Sequence, residues 1–476
     1  MEQPKGLDLH VDVDRRPGRV GRSLEEALRK ALRSGRLPAG TRLPGSRNLA
    51  ADLGISRGTV VQVYAQLIAE GWLVGRPGSG TRVSPTPAAA DTGPTMEGRA
   101  GRGRRPDAAA GHRPEAVDLR PGRPDIGAFP RAAWASAVRR VLTSADPELW
   151  DYGPPTGLTA LREAVAGYVA RTRGVRADPG RVIVVGGFAA GLALLGRALS
   201  GLGVREVATE DPGLDRHRRL LHAAGLATPP LEVGPTGADP DGLTARAGAA
   251  LLTPAHQHPY GVVLAPRRRA AFVDWARRHD GYLIEDDYDG EFRYDQQPVG
   301  ALQALAPDRV VYAGSASKSL APGMRLGWLV VPAALHDPLV RAIEETGTGV
   351  PVIEQLALAD LIERGEYDRH IRRVRLAYRR RRAELVRRLP APLSGVAAGL
   401  HALLPVGSAG HEARLIEVGR YAGVRLHGLH GLAYWHRPSG ERPAALVLGY
   451  ATPPQHAWQQ ALDRLVEVID AVGLAD

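Results

Sequence analysis

Residues 310–319 read Val-Val-Tyr-Ala-Gly-Ser-Ala-Ser-Lys-Ser, a short apolar run that leads into small hydroxyl residues around Lys318. Such a run, bounded by turn residues, is typical of a buried β-strand. The chain has only three lysines among its 62 basic residues. Arginine replaces lysine well in surface and phosphate contacts, but a guanidinium effectively never loses a proton to become a nucleophile. Lys318 therefore suggests chemistry that requires an amine, although a lysine after a strand is often simply a surface residue.

Apolar runs of the same kind alternate with helical patterns through the middle of the chain. The runs are 182–185, 206–209, 249–252, 282–284 and 310–313, and the helix-compatible segments lie near 190–199, 213–224 and 266–279. This alternation predicts βαβ units and a mostly parallel sheet covered by helices on both faces. The remaining part of the chain predicts a smaller α+β subdomain, with an arginine-rich helix at about Tyr367–Leu389 and a closing helix at Gln455–Val472.

Segments rich in glycine or in polar residues follow four of these runs, at the sheet edge where ligands bind in open α/β folds. They are Gly186–Ala189, Thr253–Gly261, Glu285–Asp289 and Gly314–Ser319. Pyridoxal phosphate needs a lysine for an imine, a carboxylate to keep its pyridine nitrogen protonated and donors for its phosphate, and these segments contain all three. The carboxylates could instead hold Mg²⁺ or Ca²⁺. A nucleotide-binding P-loop is not supported, because its glycine before the lysine is replaced by Ser317.

Residues 18–83 form a separate predicted unit with three short helices and a β-ribbon. Apolar residues recur at helical spacing from Leu24 to Leu32, and Ser56 is a plausible N-cap for a helix that buries Val60 to Leu67. This pattern predicts a winged helix-turn-helix, although similar modules also bind proteins. Six residues are candidate DNA contacts. Ser56, Arg57 and Thr59 lie at the start of the recognition helix, Arg42 and Arg47 precede it, and Gly78 lies in the wing.

Composition sets the remaining boundaries on function. The chain has 476 residues and a net charge of +11. It contains no cysteine, which excludes disulfides and thiolate metal sites. No segment has the pattern of a secretory signal or a membrane span, so a cytoplasmic location is expected. Residues 84–115 are rich in Pro, Gly, Ala and Arg and predict a flexible linker. The rest, 116–476, divides into a large subdomain of about 150–335 and a small one of about 340–476.

Two sets of motifs resemble known families. The pattern GxLxxGxRLPGSRxLA at 35–50, with LGISRxTV at 53–60 and GSGT at 78–81, resembles the GntR family of bacterial transcription regulators. Tyr152-Gly153, EDDYDGEFRY at 285–294 and SASKSLAPGxRLG at 315–327 resemble fold type I aminotransferases. The two joined resemble the MocR subfamily, in which an aminotransferase-like domain serves as an effector sensor. The expected fold is therefore a winged helix-turn-helix joined to an α/β fold type I domain.

The resemblance to aminotransferases implies a role for each matching residue. Lys318 would form the Schiff base with pyridoxal 5'-phosphate, Asp286 would pair with the pyridine nitrogen, and Tyr288 would bond the ring phenolate. The phosphate would be held by Ser315, Ser317, Arg325 and the backbone of Gly187, Phe188 and Ala189. Tyr152 would reach in from the partner subunit of a homodimer. No metal is expected.

Three departures from the family pattern bear on the effector. Ala189-Ala190 stands where a glutamine pair is usual, and His258 replaces an asparagine, so that His258 either reaches the ring phenolate or is a packed or surface imidazole. The stretch 445–450 lacks the arginine that binds substrate carboxylates. This absence favours pyridoxal phosphate itself, or an amine without a carboxylate, as effector. The arginine-rich helix could supply a substitute cation, or its arginines could form a solvated face.

The sequence thus predicts a sequence-specific DNA-binding transcription regulator that senses pyridoxal phosphate or an amine through Lys318, without full enzymatic turnover. Its predicted partners are operator DNA, the cofactor or a small amine or amino-acid effector, and a second copy of the chain. The alternative is a catalytically active aminotransferase that carries a DNA-binding head.

Overall fold

The computed structural model describes residues 19–33, 37–38, 40–69, 72–76, 80–84, 117–294, 299–430, 434–436 and 442–474. The chain divides into two compact units, residues 1–110 and 111–476, and each is considered by itself. No helix among the described residues is long and apolar enough to cross a bilayer.

The first unit is a winged helix-turn-helix, as predicted. Its elements are α1 (Val20–Arg33), α2 (Ser46–Leu53), α3 (Arg57–Ala69), β1 (Leu73–Arg76) and β2 (Gly80–Val83), with the two strands antiparallel. Leu24, Leu28, Val60 and Leu67 are fully buried in its core. The N–H of Thr59 donates to Ser56 Oγ at 3.1 Å, so the predicted helix cap is present.

The turn between α2 and α3 depends on a glycine. Gly54 has φ 63°, in the left-handed region that side chains with a Cβ disfavour. Its N–H donates to the carbonyl of Ala51 at 3.2 Å and ends α2. This turn sets the direction in which α3 begins.

An eight-stranded sheet forms the centre of the second unit. Its strands are β4 (Val182–Val185), β5 (Glu206–Asp211), β6 (Pro230–Gly234), β7 (Gly237–Ala238), β8 (Ala247–Leu252), β9 (Tyr282–Asp286), β10 (Val310–Ser315) and β11 (Gly327–Val330), in the order β4-β11-β10-β9-β8-β5-β6-β7. The five predicted strands are all present, and four of them, β5, β8, β9 and β10, are joined in parallel. The sequence analysis missed β11, which lies antiparallel between β4 and β10.

Helices cover both faces of this sheet. They are α4 (Arg131–Ser144), α5 (Thr159–Arg173), α6 (Phe188–Gly201), α7 (Asp215–Ala223), α8 (Pro266–Arg278), α9 (Ala333–Thr346) and α10 (Val352–Glu363). Successive side chains of a strand point to opposite faces. Ile183 and Val185 accordingly join the cluster that contains α6 and α9, whereas Val182 and Val184 join the cluster that contains α5 and α10. Burial on both faces explains why β4 is apolar throughout.

The smaller subdomain follows α10. Its elements are α11 (Glu366–Arg388), β12 (Ala402–Pro405), α12 (Ala409–Tyr421), β13 (Val424–Arg425), β14 (Ala445–Leu448) and α13 (Trp458–Val472). The short strand β3 (Val117–Asp118), at the start of the described part of this unit, pairs in parallel with β13. The predicted closing helix begins three residues late, because Gln455–Ala457 form a separate 3₁₀ turn.

One arginine of α11 is part of the core. Arg381 is buried and forms an ion pair with Asp125 at 2.9 Å. One of its nitrogens also donates to the carbonyl of Pro453 at 2.7 Å, and its guanidinium lies 5.4 Å from the ring centroid of Trp458. For this arginine, the interpretation of α11 as a solvated face was wrong. Arg381 instead ties the segment before α4 to the end of the small subdomain.

Replacing Arg381 with alanine leaves the Asp125 carboxylate buried without its partner. We expect a loss of about 3–5 kcal/mol in the free energy of unfolding. Arg380→Ala, one position along and exposed to solvent, is the matched control and should cost less than about 0.5 kcal/mol. Denaturant unfolding followed by circular dichroism measures both variants. Equal stability of the two would show that the buried ion pair contributes little.

Candidate cofactor site and DNA-binding head

A cavity of about 390 Å³ lies at the carboxyl ends of β5, β8, β9 and β10. Most of the predicted cofactor residues line it, namely Phe188, Ala189, His258, Asp286, Tyr288, Ser315, Ser317, Lys318 and Arg325. These residues come from five separate segments of the chain. The sheet brings them together because parallel strands end at the same edge.

One end of the cavity is suited to bind an anion. Gly187 precedes the 14-residue helix α6, whose first N–H groups have no side-chain cap. Ser315 Oγ donates to Ser317 Oγ at 2.8 Å, and a Cβ added to Gly187 would lie 3.8 Å from Ser317 Oγ and 3.7 Å from an Arg325 nitrogen. The helix N-terminus, two hydroxyls and a guanidinium thus surround one small space. That is the donor set that a phosphate group requires.

The backbone at Arg325 is constrained to complete this cradle. Arg325 has φ 52°, one of two positive values among the non-glycine residues that the structure describes. A non-glycine residue in the left-handed region is uncommon, and such residues cluster at functional sites. Here the conformation turns the chain after the short helix at 322–324 and directs the guanidinium towards Gly187.

Lys318 and Asp286 are buried groups of opposite charge in the same cavity. Burial lowers the pKa of Lys318, and the charge of Asp286 opposes that shift. Burial also raises the pKa of Asp286 well above its usual range, with Lys318 again opposing. Each group therefore resists ionisation unless a charge of opposite sign lies nearby. A cationic ring nitrogen beside Asp286 would supply that charge.

Two buried polar atoms on the cavity wall have no hydrogen-bond partner among the described residues. They are Thr209 Oγ1 and the hydroxyl of Tyr434. Buried polar atoms are nearly always paired, so their position indicates space for a polar ligand. Together with the anion cradle, the lysine and the carboxylate, they show that the cavity fits pyridoxal phosphate.

Tyr288 lines the cavity, but its hydroxyl is directed into a buried polar cluster. The hydroxyl donates to the carbonyl of His256 at 3.0 Å and lies 3.2 Å from His256 Nδ1. His256 Nδ1 in turn lies 2.8 Å from a carboxylate oxygen of Asp289. The hydroxyl would have to leave the His256 carbonyl in order to bond a ligand in the cavity.

His258 is both packed and part of the cavity wall. Its ring centroid lies 4.7 Å from that of His401 and 5.4 Å from that of Tyr434. Burial, aided by the charge of Lys318, lowers its pKa to about 3. His258 is therefore a neutral imidazole at physiological pH and not a surface residue.

The carboxylates that follow β9 do not converge on one point. Glu285 accepts from the backbone N–H of Leu302 at 2.8 Å, and Asp287 pairs with Arg173 at 2.6 Å. Asp289 pairs with His256 as described above. Because each carboxylate faces a different partner, the alternative of a cation held jointly by this run is not supported.

Sequence reasoning missed several residues of the cavity. They include Thr209, Glu210, Arg216, His217, His427 and Tyr434. Glu210 accepts from the N–H of Thr253 at 3.1 Å, from Thr253 Oγ1 and from Gln257 Nε2 at 3.3 Å. Burial nevertheless raises the pKa of Glu210 to about 7. The expected strand ended at Thr209, but β5 extends to Asp211 and carries Glu210 into the site.

Tyr152 stands apart from the other predicted residues. Its side chain is fully exposed and does not line the cavity of its own chain. This position is compatible with a role in the site of a second subunit, which remains a prediction.

In the first unit, the predicted DNA contacts lie on its surface. Arg42, Arg47, Ser56 and Arg57 are exposed, and Thr59 is half-buried at the start of α3. Ser56 Oγ lies 2.8 Å from Thr59 Oγ1, so both hydroxyls also serve the helix cap. Gly78 lies outside the described residues. Arg57 is the first residue of α3, at the end of a recognition helix that meets DNA, whereas Arg42 lies against Gly80 of the wing strand β2.

Two family models match this chain. Residues 21–83 match bacterial regulatory proteins of the gntR family, and residues 116–412 match aminotransferase class I and II. The probable rhizopine catabolism regulatory protein MocR of Rhizobium meliloti is 38% identical over 391 residues, which cover 80% of this chain and 78% of that protein. The pyridoxine biosynthesis transcriptional regulator PdxR of Corynebacterium glutamicum is 34% identical over 397 residues, covering 82% and 83%.

Two solved aminotransferases have the same fold. A double mutant of Thermus thermophilus aspartate aminotransferase has a TM-score of 0.64 and 25% identity over 74% of this chain and 92% of that one. An archaeal alanine:glyoxylate aminotransferase has a TM-score of 0.66 and 23% identity over 75% and 91%. The second unit therefore has the fold of these enzymes, and its family implies pyridoxal 5'-phosphate as cofactor.

The raised pKa of Glu210 has a consequence for stability. Between the ordinary value of 4.5 and about 7, the folded chain binds more protons at Glu210 than the unfolded chain does. The contribution of this group to stability is therefore present at low pH and is lost as pH rises through about 7.

Glu210→Gln should remove this contribution, so that the free energy of unfolding falls less steeply between about pH 4.5 and 7 than in the native chain. Glu232→Gln, at an exposed carboxylate on β6, is the control and should leave the slope unchanged. Urea unfolding at a series of pH values gives the slopes. If both variants match the native chain, Glu210 ionises normally.

Proposed function

Because the chain belongs to the MocR subfamily of GntR-type transcription regulators, we propose that its aminotransferase-like unit senses an effector and controls the DNA-binding head. Membership makes the chain a DNA-binding regulator that depends on pyridoxal phosphate. The proposal assigns residues 18–83 to the head, 84–115 to a linker that lies almost entirely outside the described residues, and 116–476 to the sensor. The observation that carries the sensor role is the cavity around Lys318.

Different residues of the cavity would hold different parts of the cofactor. When bound, pyridoxal phosphate supplies an aldehyde that condenses with amines and a ring that draws electrons from the bond formed. Ser315, Ser317, Arg325 and the amides from Gly187 to Ala189 would hold the phosphate. Asp286 would face the ring nitrogen and regain its charge, and Lys318 would hold the aldehyde carbon.

The ring hydroxyl of the cofactor would lie near Tyr288 and His258. His258 is neutral and fixed between His401 and Tyr434, so it can donate or accept one hydrogen bond without changing charge. Tyr288 would exchange its bond to the His256 carbonyl for one to the ring hydroxyl. This exchange is a small rearrangement that binding of the cofactor would drive.

The effector is pyridoxal phosphate itself or an amine that displaces Lys318. The family arginine that binds carboxylates is absent from β14, whose four residues are apolar and buried. None of the arginines of α11 lines the cavity, so that helix does not provide the substitute cation. These observations support an effector that is recognised without a contact between an α-carboxylate and an arginine of the small subdomain.

A dimer would give the regulator two heads and a paired operator. The exposed side chains of Trp150 and Tyr152 support this assembly, since large aromatic residues on a surface mark contact sites. An effector would act by binding more tightly to one arrangement of the two heads than to the other. We expect the protein to act in the cytoplasm, where bacterial DNA lies.

The relatives do not favour the alternative of an active aminotransferase with a DNA-binding head, because those matched across both units are named as regulators. The two functions differ in one observable. Sustained transfer of an amino group from a donor to a keto acid would contradict a role limited to sensing.

Loss of the Lys318 amine should abolish the visible absorbance of the bound cofactor. Lys318→Arg is the sharper variant, because it keeps the positive charge but cannot condense with an aldehyde. Lys30→Ala, at another of the three lysines, is the control and should keep the absorbance after gel filtration. A native chain that stays colourless with added pyridoxal phosphate, or an absorbance that survives Lys318→Arg, would contradict the assigned site.

Arg57 should contribute to recognition of the operator. Arg57→Ala removes an exposed cation at the start of α3, and we expect binding to a fragment upstream of the gene to weaken by about 1–3 kcal/mol. Lys30→Ala removes an exposed cation from α1 and serves as the control, with a smaller effect. Gel-shift titrations at one fixed salt concentration compare them. Equal affinity of Arg57→Ala and the native chain would contradict this role for α3.

A further inference from the structure

The second unit has another concave site, which shares no lining residue with the cofactor cavity. Its volume is about 560 Å³, and it lies between the end of α5, the segment 290–294 and one face of α11. Six arginines line it, and we call it the arginine cleft. They are Arg171, Arg173, Arg293, Arg372, Arg375 and Arg379.

The positive charge of the arginine cleft is only partly compensated. Arg173 is buried against Asp287, and Arg171 pairs with Asp368. Within the part of the chain that the structure describes, Arg372 and Arg379 have neither an ion pair nor a hydrogen bond. Both are exposed. Among the described residues, the acidic groups in the lining are Asp368 and Glu291, and burial raises the pKa of Glu291 to about 7.

Three arginines of the cleft converge because of helical spacing. Arg372, Arg375 and Arg379 are three and four residues apart, so they project from the same face of α11. Arg171 lies across the cleft at the end of α5. A concave surface of one charge concentrates counter-ions, and guanidinium groups bind phosphate oxygens in pairs.

The floor of the cleft is not entirely charged. Leu376 is 44% exposed and contributes aliphatic surface beside the arginines, with the buried Tyr168 and Ile371 behind it. Such a lining suits a ligand with an organic part as well as charge. The enclosed volume is that of a small molecule, whereas duplex DNA would contact cations spread along a groove.

We propose that the arginine cleft binds a small organic anion that carries two or more phosphate groups. Arg372 and Arg379 would contact the phosphates together with Arg171 and Arg375, and Leu376 would contact the organic part. The proposal concerns this cleft alone and does not require that the cofactor cavity be occupied.

Isothermal titration of the full-length chain with tripolyphosphate, and separately with ATP, tests the proposal. We expect saturable binding of one anion per chain. The double variant Arg372→Ala/Arg379→Ala should bind about a hundredfold more weakly, since each charge-assisted contact is worth about tenfold. Arg380→Ala removes a neighbouring exposed arginine that does not line the cleft, and it should bind within about twofold of the native chain.

Three results would overturn the proposal. The first is the absence of saturable binding, and the second is an equal loss of binding in Arg380→Ala, which would indicate attraction to the whole helix surface. The third is a double variant that binds tripolyphosphate normally but binds promoter DNA weakly, which would make the cleft a nucleic-acid surface. Circular dichroism of the double variant confirms that it is folded, as expected for two exposed side chains.

Discussion

The confinement of Lys318 and Asp286 in one buried cavity is the constraint on which the rest of the second unit depends. Burial disfavours the charged form of both groups, and their mutual attraction opposes this effect. A ligand that bonds covalently with the amine and places a cation beside the carboxylate relieves both penalties at once. Four parallel strand ends and the turn at Arg325 are needed to assemble such a cavity. The fold therefore supplies a site that is stabilised by its ligand.

Arginine has two different roles in this chain, namely buried ion pairing with carboxylates and the lining of sites suited to anions. These roles explain part of the arginine content. Arg173 and Arg381 are buried and act as structural ties, each facing a carboxylate. Arg325 belongs to the anion cradle, and Arg372 and Arg379 remain exposed in the arginine cleft. Lysine could not readily replace the buried ties, because a flexible ammonium does not bond several fixed acceptors as a planar guanidinium does. The position that requires an amine is Lys318.

Much of the fold and most of the cofactor site could be predicted, because their signals are local. The runs at 182–185, 249–252, 282–284 and 310–313 are apolar, and most of the predicted site residues follow them directly. The strand β11 was missed because Gly327–Val330 is short and its position depends on pairing with two distant strands. Tyr434 and His427 reach the cavity from the small subdomain, and no sequence pattern places them there. The core role of Arg381 was hidden for a related reason, since one arginine in a basic helix resembles its neighbours until packing distinguishes it.

The central claim is that events at Lys318 control binding of DNA by the head. The most direct measurement is the affinity of the full-length native chain and of Lys318→Arg for the promoter fragment, with and without pyridoxal phosphate, at one salt concentration. The account predicts that the cofactor changes the affinity of the native chain by a factor of about 5 to 150 and leaves that of the variant unchanged. An unchanged affinity in the native chain, or the same change in both proteins, would contradict it.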